Sequence, residues 1–306
     1  MIKINNISKT YHQKNTDIKA LDNINLEINT GEITCLLGHN GAGKTTLIKC
    51  ISDLIVPCEG AIYINDIIVN QKTAIARKEV GAVLEGSRNI YYYLTPEENL
   101  KYFGLLNNLT SKQIKERSDY FLDIFDLEDR RKEVVNNFSR GMQQKVAIMV
   151  TLMKNPSILL LDEPTLGLDI VSSTIVKNII QSLAKNMKKT VIISTHDINL
   201  IEDLQCRLIF MNKGKVVKDD IFENIKNNFS NKEIFEISMA NDSFEKIRKS
   251  INLEDVTYKQ EEFFTTVYVS DINWIKHNIN NIDFQSISKS NPSFEEVYTS
   301  IMKVGE

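Results

Sequence analysis

Short apolar runs alternate along the chain with longer stretches whose apolar positions recur at helical spacing. Six runs are predicted to be strands: Ile24–Ile28, Ile33–Leu37, Ala61–Ile64, Val80–Leu84, Ile158–Leu161 and Val191–Ser194. This alternation is typical of an α/β sheet with helices packed on it. The last two runs are almost wholly apolar, which predicts central, parallel strands that are buried on both faces.

Two further regions extend this pattern. From Glu97 to Phe125 the periodicity is helical, with Pro96 in a first turn, which predicts a helical insertion between strands. The last part of the chain predicts a small α+β module. Its alternating strands and helices are expected at Ile234–Ser238, Ser243–Lys249, Phe263–Val269, Ile272–Asn278 and Asp283–Ile287, followed by a helix from Ser293.

Composition and charge place the chain among globular proteins. Of its 306 residues 42% are hydrophobic and 25% are charged, with a net charge of -3, which excludes wholesale disorder and shows no bias toward nucleic acid. Residues 222–306 contain 9 Lys/Arg and 14 Asp/Glu, whereas residues 1–221 have a net charge of +2. We therefore predict a domain boundary near residue 220. The acidic charge beyond it can be an ordinary solvated surface.

The apolar runs, the first residues and the cysteine spacing together predict a cytosolic protein. No apolar run approaches the ~20 residues of a membrane-spanning helix, and the first residues, Met1–Asn6, lack the apolar stretch of a signal peptide. No C-x-x-C pair or framework spacing joins the four cysteines, Cys35, Cys50, Cys58 and Cys206. Reduced thiols in a cytosolic protein are expected.

The segment Gly38–Thr45 fits the phosphate-binding pattern G-x-x-x-x-G-K-[ST], after an apolar strand and before a helical run. Glycines let the backbone curl so that its N–H groups point at phosphate oxygens. Lys44 is expected to reach the β and γ phosphates of a bound nucleotide, and the Thr45 hydroxyl to bind Mg²⁺. The predicted nucleotide-binding residues here are Gly38, His39, Asn40, Gly41, Ala42, Gly43, Lys44, Thr45 and Thr46.

A buried strand is predicted to end in two adjacent carboxylates, because Ile158–Leu161 runs directly into Asp162 and Glu163. Ligand sites in such sheets lie at this carboxyl edge. We expect Asp162 to hold Mg²⁺ through water and Glu163 to act as the general base on the attacking water. Taken alone, an acidic pair that merely starts a loop is the alternative.

Further motifs in a fixed order make residues 1–221 resemble the ATP-binding cassette of ABC transporters. Asp162–Thr165, Gly167–Asp169 and Ser194–His196 resemble its Walker B, D-loop and switch-histidine segments, and Phe138–Lys145 resembles its signature motif. The resemblance implies an α/β P-loop NTPase fold. In that fold a mixed central sheet has flanking helices, an antiparallel β edge and a helical subdomain over about 86–156, followed here by the α+β module of residues 222–306.

The resemblance also implies roles for single residues. Two cassettes sandwich two ATP molecules, so that the signature residues of one cassette bind the γ-phosphate of ATP held by the other. These residues are Ser139, Arg140, Gly141 and Met142, with Asp169 in the D-loop, His196 as the switch histidine and Tyr11 stacked on adenine. Three ordinary alternatives are a helix N-cap for Ser139, a backbone-bonded strand end for His196 and an exposed strand end for Tyr11.

Two departures from the family pattern affect the expected nucleotide geometry. Glu85 stands where the family usually has the Q-loop glutamine that touches Mg²⁺, which makes it a candidate metal ligand, unless it faces solvent or the permease. Arg140 and Met142 replace the first glycine and the glutamine of the usual signature. Similar substitutions occur in the exporter branch that resembles daunorubicin-resistance ATPases, whose tails end like Pro292–Tyr298.

These features predict the ATP-hydrolysing subunit of an ABC exporter, homodimeric with ATP and docked on a separate permease at the cytoplasmic face of the membrane. Tyr91–Leu94 suits that contact, and burial in the domain core is the equal alternative. An importer subunit is the nearest rival. A soluble ATPase acting on ribosomes or DNA is disfavoured because each motif occurs once, without a heptad run between Thr45 and Ser139 or a basic stripe. The cargo and the role of residues 222–306 stay open.

Overall fold

The computed structural model describes residues 1–12, 16–69, 74–86, 89–230, 234–248, 256–269, 274–276, 283–290 and 294–304. The chain divides into two compact units, the larger built mainly from Met1–Phe222 and the smaller from Glu223–Lys303. The four cysteines carry free thiols.

Ten strands belong to the larger unit. They are β1 (Ile2–His12), β2 (Asp17–Ile28), β3 (Ile33–Leu37), β4 (Glu59–Ile64), β5 (Ile67–Ile68), β6 (Val80–Val83), β7 (Ile158–Asp162), β8 (Thr190–Thr195), β9 (Arg207–Asn212) and β10 (Lys215–Ile221). Six of them form a mixed sheet in the order β10-β9-β3-β8-β7-β6, in which only the β10–β9 pair is antiparallel. Every residue of β7 and β8 is buried, which confirms the prediction of two central parallel strands.

The other four strands form a separate antiparallel sheet in the order β2-β1-β4-β5. The apolar face of β1, with Ile2, Ile4 and Ile7, packs in one buried cluster with Leu47 and Ile48 of the first helix. This second sheet therefore covers the helix that follows the phosphate-binding segment.

Helices surround the central sheet. In the larger unit they are α1 (Lys44–Ile51), α2 (Ala74–Glu79), α3 (Pro96–Leu106), α4 (Ser111–Ile124), α5 (Arg140–Leu152), α6 (Ile170–Lys185) and α7 (Ile198–Leu204), with short 3₁₀ turns at Glu128–Arg130 and Val135–Asn137. The predicted helical insertion over Glu97–Phe125 contains two helices, α3 and α4. Thr95 and Thr110 each begin a helix with a full capping box, and Asn108 between them has a φ of 57°.

The smaller unit has an antiparallel sheet in the order β12-β13-β11-β14, which confirms the expected α+β character of this region. Its strands are β11 (Ile234–Ala240), β12 (Val256–Gln260), β13 (Phe264–Val269) and β14 (Ser286–Ser290), and its helices are α9 (Asn241–Arg248) and α10 (Phe294–Val304). Helix α8 (Phe222–Ser230) precedes them. A buried cluster of Ile237, Phe244, Val267 and Ile275 among others forms the core.

Several predicted boundaries were wrong. Strand β2 begins at Asp17 instead of Ile24, and the last strand of the smaller unit is Ser286–Ser290 instead of Asp283–Ile287. The strands that were not predicted at all are β1, β5, β9, β10 and β12. The helix expected over Ile272–Asn278 lies largely outside the described residues, of which 274–276 are helical.

Candidate functional site

The phosphate-binding segment joins the carboxyl end of β3 to the start of α1. Gly41 and Gly43 have φ angles of 84° and 106°, a region that side chains rarely allow. A Cβ atom on Gly43 would lie 2.5 Å from the carbonyl oxygen of Ala20. The glycine at 43 is therefore required both by the turn and by the close passage of β2.

Lys44 extends along this loop. Its Nζ donates to the carbonyl oxygens of Gly38 at 2.5 Å and His39 at 3.4 Å, and lies 3.9 Å from Oε1 of Glu163. Burial lowers the pKa of Lys44, while the carboxylates of Glu163, Asp162 and Glu85 oppose that shift. The ammonium is thus partly desolvated, and this lower local dielectric strengthens its interaction with any anion bound in the loop.

His39 ties the loop to a strand that the sequence did not single out. Its Nε2 lies 2.9 Å from Oδ1 of Asn212 at the end of β9, and its Nδ1 lies 2.7 Å from the carbonyl oxygen of Asn40. Asn212 is buried. The imidazole therefore fixes the start of the loop against β9.

Asp162 lies at the end of β7, where its carboxylate meets the phosphate loop. Oδ1 accepts hydrogen bonds from the hydroxyls of Thr45, at 3.1 Å, and Ser194. Oδ2 is buried and has no hydrogen-bond partner among the described residues. A buried carboxylate oxygen without a donor fits a cation ligand, directly or through water, so the Thr45 and Asp162 pair fits Mg²⁺.

Glu163 follows Asp162 in a left-handed backbone conformation, with a φ of 49°. Its N–H donates to Ser194 O at 3.0 Å and to Ser194 Oγ at 3.2 Å, which holds this turn against the end of β8. The side chain is 8% exposed, and its Oε1 lies 3.0 Å from Nδ1 of His196. A carboxylate held beside an imidazole and close to Lys44 can accept a proton from a water molecule.

The signature residues lie at the start of α5. Ser139 is its N-cap and accepts a hydrogen bond from Met142 N at 3.3 Å, so the N-cap alternative is correct, and this cap is compatible with anion binding. A Cβ on Gly141 would lie 2.5 Å from Ser172 Oγ in α6. This close packing joins the signature helix to the helix that follows the D-loop.

The D-loop residue Asp169 is the N-cap of α6. Its carboxylate accepts hydrogen bonds from Ser172 N at 2.9 Å and Ser172 Oγ at 2.7 Å, and these bonds lower its pKa. Arg140 lies against the same loop, because a Cβ on Gly167 would be 2.6 Å from its Nη1. The signature and the D-loop of one chain are therefore in contact.

Glu85 follows β6 and lines a cavity of about 330 Å³. The other charged residues of its lining are Arg140, Asp162 and Glu163. The influence of Glu85 on the pKa of Lys44 also places its carboxylate near the phosphate loop. The side chain is exposed, as a ligand-facing or partner-facing residue requires.

Two aromatic predictions concern the surface. Tyr11, near the end of β1, is half-buried, and Lys9 Nζ lies 5.7 Å from its ring centroid. The described residues show no hydrogen bond from Tyr11 to the phosphate loop. Tyr91 and Tyr93 are 46% and 87% exposed, so burial in the domain core does not hold for them.

The structure thus brings together most of the predicted nucleotide-site residues. The loop 38–46 meets Asp162, Glu163 and His196 at the carboxyl edge of β3, β7 and β8. Within the described part of the chain, no hydrogen bond joins Ser139 to that loop. Sequence reasoning missed the contact of Asn212 with His39 and the hydrogen bond of Ser194 to Asp162. For Ser194 the only sequence signal was its place in the Ser-Thr-His segment at the end of a predicted strand.

This arrangement defines the class of the protein as a P-loop nucleotide-binding ATPase with helices inserted between β6 and β7. A profile of the ABC transporter family matches residues 21–166. The chain is 36% identical over 225 residues to the ABC transporter ATP-binding protein NatA of Bacillus subtilis (strain 168), covering 74% of this chain and 91% of that protein. The chain belongs to the ATP-binding subunits of ABC transporters, an ATP-hydrolysing family.

Other comparisons agree. Methionine import ATP-binding protein MetN 4 of Oceanobacillus iheyensis is 31% identical over 229 residues, which cover 74% of this chain and 66% of that protein. Among solved structures, the dimeric cassette MJ0796 in a post-hydrolysis state with ADP and Pi matches with a TM-score of 0.65 and 31% identity, covering 72% of this chain and 99% of that one. These likenesses confirm the predicted fold class.

Among the described residues, no helix is both long enough and apolar enough to span a bilayer.

Proposed function

We propose that the chain is the ATP-hydrolysing subunit of an ABC exporter, in which two copies enclose two ATP molecules and drive a separately encoded permease. The main support is that the residues suited to binding and hydrolysing ATP lie at two different places on one chain. Lys44, Asp162 and Glu163 meet at one sheet edge, while Ser139 caps a helix of the helical subdomain. A second copy facing the first would supply the missing signature.

In this proposal Lys44 binds the β and γ phosphates, and the N–H groups at the start of α1 bind the remaining phosphate oxygens. Thr45 and Asp162 hold Mg²⁺, and Glu85, which lines the same cavity as Asp162, is a further candidate ligand. The ion, when bound, neutralises charge on the phosphates and polarises the transferred group. Tyr11 offers its ring to the adenine base.

Glu163 takes the proton from the attacking water, and His196 holds the Glu163 carboxylate in place through the 3.0 Å contact with Nδ1. His196 is itself 54% exposed on its side chain, so it can also face the γ-phosphate. Ser139, Arg140, Gly141 and Met142 bind that phosphate from the opposite subunit, and Asp169 shapes the D-loop between the two sites.

The membrane side of the proposal rests on the helical subdomain. Tyr91 and Tyr93 are exposed next to Tyr102, whose ring packs edge-on to Tyr91 at 4.8 Å. Exposed aromatic rings are typical of the centre of a protein interface. We assign this surface to the permease, which would place the protein at the cytoplasmic face of the membrane. Residues 1–221 would then form the cassette and residues 222–306 an accessory module.

Export is favoured by the tail, Pro292–Tyr298, which resembles that of daunorubicin-resistance ATPases. Import is the second candidate, because MetN 4 carries methionine import in its name and is 31% identical. The chain covers only 66% of that longer protein, however, so the comparison leaves a third of it unmatched.

The test begins with purified protein, whose Mg²⁺-dependent ATP hydrolysis must be measurable. The tagged chain is then isolated from detergent-solubilised membranes, and a co-purified membrane protein is sequenced. The complex is reconstituted into vesicles with the cassette outside. ATP-dependent movement of a solute into the lumen supports export, and movement out of the lumen supports import. Recovery of ribosomes or DNA without a membrane protein would overturn both.

A further inference from the structure

One cavity beside the nucleotide site carries an unusual charge arrangement. Its lining has three carboxylates, from Glu85, Asp162 and Glu163, and one guanidinium, from Arg140. Asp162 is bonded by Thr45 and Ser194, and Glu163 lies beside Lys44 and His196. Glu85 and Arg140 have no hydrogen bond or ion pair within the described ranges. Two unpaired, opposite charges therefore line one cavity of about 330 Å³.

The position of Arg140 is set by its neighbours. Its guanidinium lies over Gly167, where a side chain would collide with Nη1 at 2.6 Å, and Gly141 packs just as closely on Ser172. These contacts hold the guanidinium beside Gly167 of the D-loop, at the edge of the cavity that Arg140 and Glu85 both line. A guanidinium presents five N–H donors in a fork that matches a carboxylate.

Glu85 needs such a counter-charge when the site is filled. Its carboxylate lines the same cavity as Asp162 and Glu163 and opposes the downward pKa shift that burial causes at Lys44, so it lies on the side of the site where Lys44 would bind a phosphate. The Glu85 carboxylate and a bound phosphate repel each other, and this repulsion is larger in a cavity than in open water. Asp162 and Glu163 add to the negative charge on the same side.

We propose that Arg140 is a positioning residue that neutralises and orients the Glu85 carboxylate across this cavity. The proposal rests on the proposed function in one respect, namely that the anion beside Lys44 is ATP. It predicts that the two side chains are energetically coupled within one chain. In a single copy, where no ATP of a second subunit is present, replacing Arg140 then matters only while position 85 carries a charge.

The experiment is a double-mutant cycle with the wild type, Glu85→Gln, Arg140→Gln and the double variant. Binding of a fluorescent ATP analogue is measured with Mg²⁺ chelated and with the protein dilute enough to stay monomeric. Arg140→Gln should weaken binding about fivefold in the wild-type background and have no effect in the Glu85→Gln background. Arg140→Lys should retain most of the affinity, because it keeps the charge.

A second readout does not depend on nucleotide. In the thermal unfolding of the ligand-free protein, Arg140→Gln should lower Tm by about 1–3 °C only when Glu85 is present. Lys101→Gln, an exposed cation on α3, serves as the matched control and should change neither measurement. Equal effects of Arg140→Gln in both backgrounds, or no effect in either, would overturn the coupling. If the wild type bound no ATP, the proposed function would be overturned instead. The Tm values of the four variants would then still show whether Glu85 and Arg140 are coupled.

Discussion

Lys44 shows how single residues are balanced at the nucleotide site. Desolvation disfavours its charge, whereas Glu163 at 3.9 Å, Asp162 and Glu85 favour it, so the amine is held as a cation by carboxylates. The Nζ donates to two carbonyl oxygens of the loop. An ammonium prepared in this way can exchange its loop contacts for phosphate oxygens without first being desolvated.

Lys44→Ala should therefore weaken ATP binding and abolish turnover, because no other described lysine or arginine lies in the loop. Comparable losses of a phosphate-stabilising group reduce rates by several powers of ten. The check is steady-state ATP hydrolysis by the purified variant. Lys112→Ala, which removes an exposed lysine of α4, is the control and should hydrolyse ATP like the wild type. Near-normal hydrolysis by Lys44→Ala would contradict the assignment of the loop.

At the same scale, the sequence predicted those site residues whose signal is local. Gly38–Thr45 and Asp162–Glu163 are continuous motifs next to apolar runs, so their position at strand ends could be inferred. Asn212 could not, because its contact with His39 joins residues 173 apart and depends on β9 lying beside β3. Ser194 bonds the Asp162 carboxylate for a similar reason, through the parallel pairing of β7 and β8.

Among the elements, helices α3 and α4 and the 3₁₀ turn after them are linked by ion pairs to one arginine. The Arg131 guanidinium contacts Glu97 of α3 at 3.0 Å, Asp119 of α4 at 2.6 Å and Glu128 of the following 3₁₀ turn at 2.9 Å. These carboxylates raise the pKa of Arg131, which stays charged at any pH that the fold survives. Three elements thus share one cation that is only 19% exposed.

Arg131→Met should lower the free energy of unfolding by about 1–2 kcal/mol, because a partly exposed network is worth more than one surface pair. Arg130→Met is a matched control next to it in sequence. Among the described residues Glu133, at 2.7 Å, is the one ion-pair partner of Arg130, so the change should cost less than about 0.5 kcal/mol. Urea unfolding of both variants provides the measurement. Equal destabilisation by the two changes would mean that the network has no special role.

The elements that the sequence missed or bounded wrongly have several physical causes. In β1 the register shifts between Ile4 and Ile7, with Asn6 at a φ of 51°, so the strict alternation of apolar and polar residues is broken. In the smaller unit, β12 and β14 are the two edge strands, and Ile287 is the sole apolar residue of β14. Edge strands bury little surface and carry a weak pattern. In the helical insertion, two residues mark the break between its two helices: Asn108, with a positive φ, follows the end of α3, and Thr110 caps the start of α4.

For the whole molecule, the exposed tyrosines offer a test of the permease contact. Tyr93 is 87% exposed and far less constrained than Tyr91, which donates a hydrogen bond to Tyr102 Oη at 3.1 Å. Tyr93→Ser should leave ATP hydrolysis of the isolated protein unchanged and reduce the amount of permease that co-purifies. Tyr120→Ser, which removes another exposed tyrosine of the helical subdomain, is the comparison. Equal permease recovery with Tyr93→Ser and the wild type would remove Tyr93 from the interface.

The assembly of two copies is tested through Glu163. Glu163→Gln preserves the shape of the side chain but cannot accept the proton of the attacking water, so hydrolysis should fall by about 10²- to 10⁴-fold while ATP stays bound. If the Ser139 end of α5 binds the ATP of a second copy, the unhydrolysed nucleotide should hold both copies together. Size-exclusion chromatography with ATP and Mg²⁺ should then show a dimer that disappears when ATP is omitted.

Two double variants separate the causes of that dimer. Adding Lys44→Ala should remove ATP binding and the dimer together, whereas adding Ser139→Arg should leave ATP bound to a monomer, because only the second half of the composite site is blocked. Ser139 lies at the exposed N-terminus of α5, so the substitution leaves the core intact. A Glu163→Gln protein that binds ATP and still elutes as a monomer would show that each copy acts on its nucleotide alone.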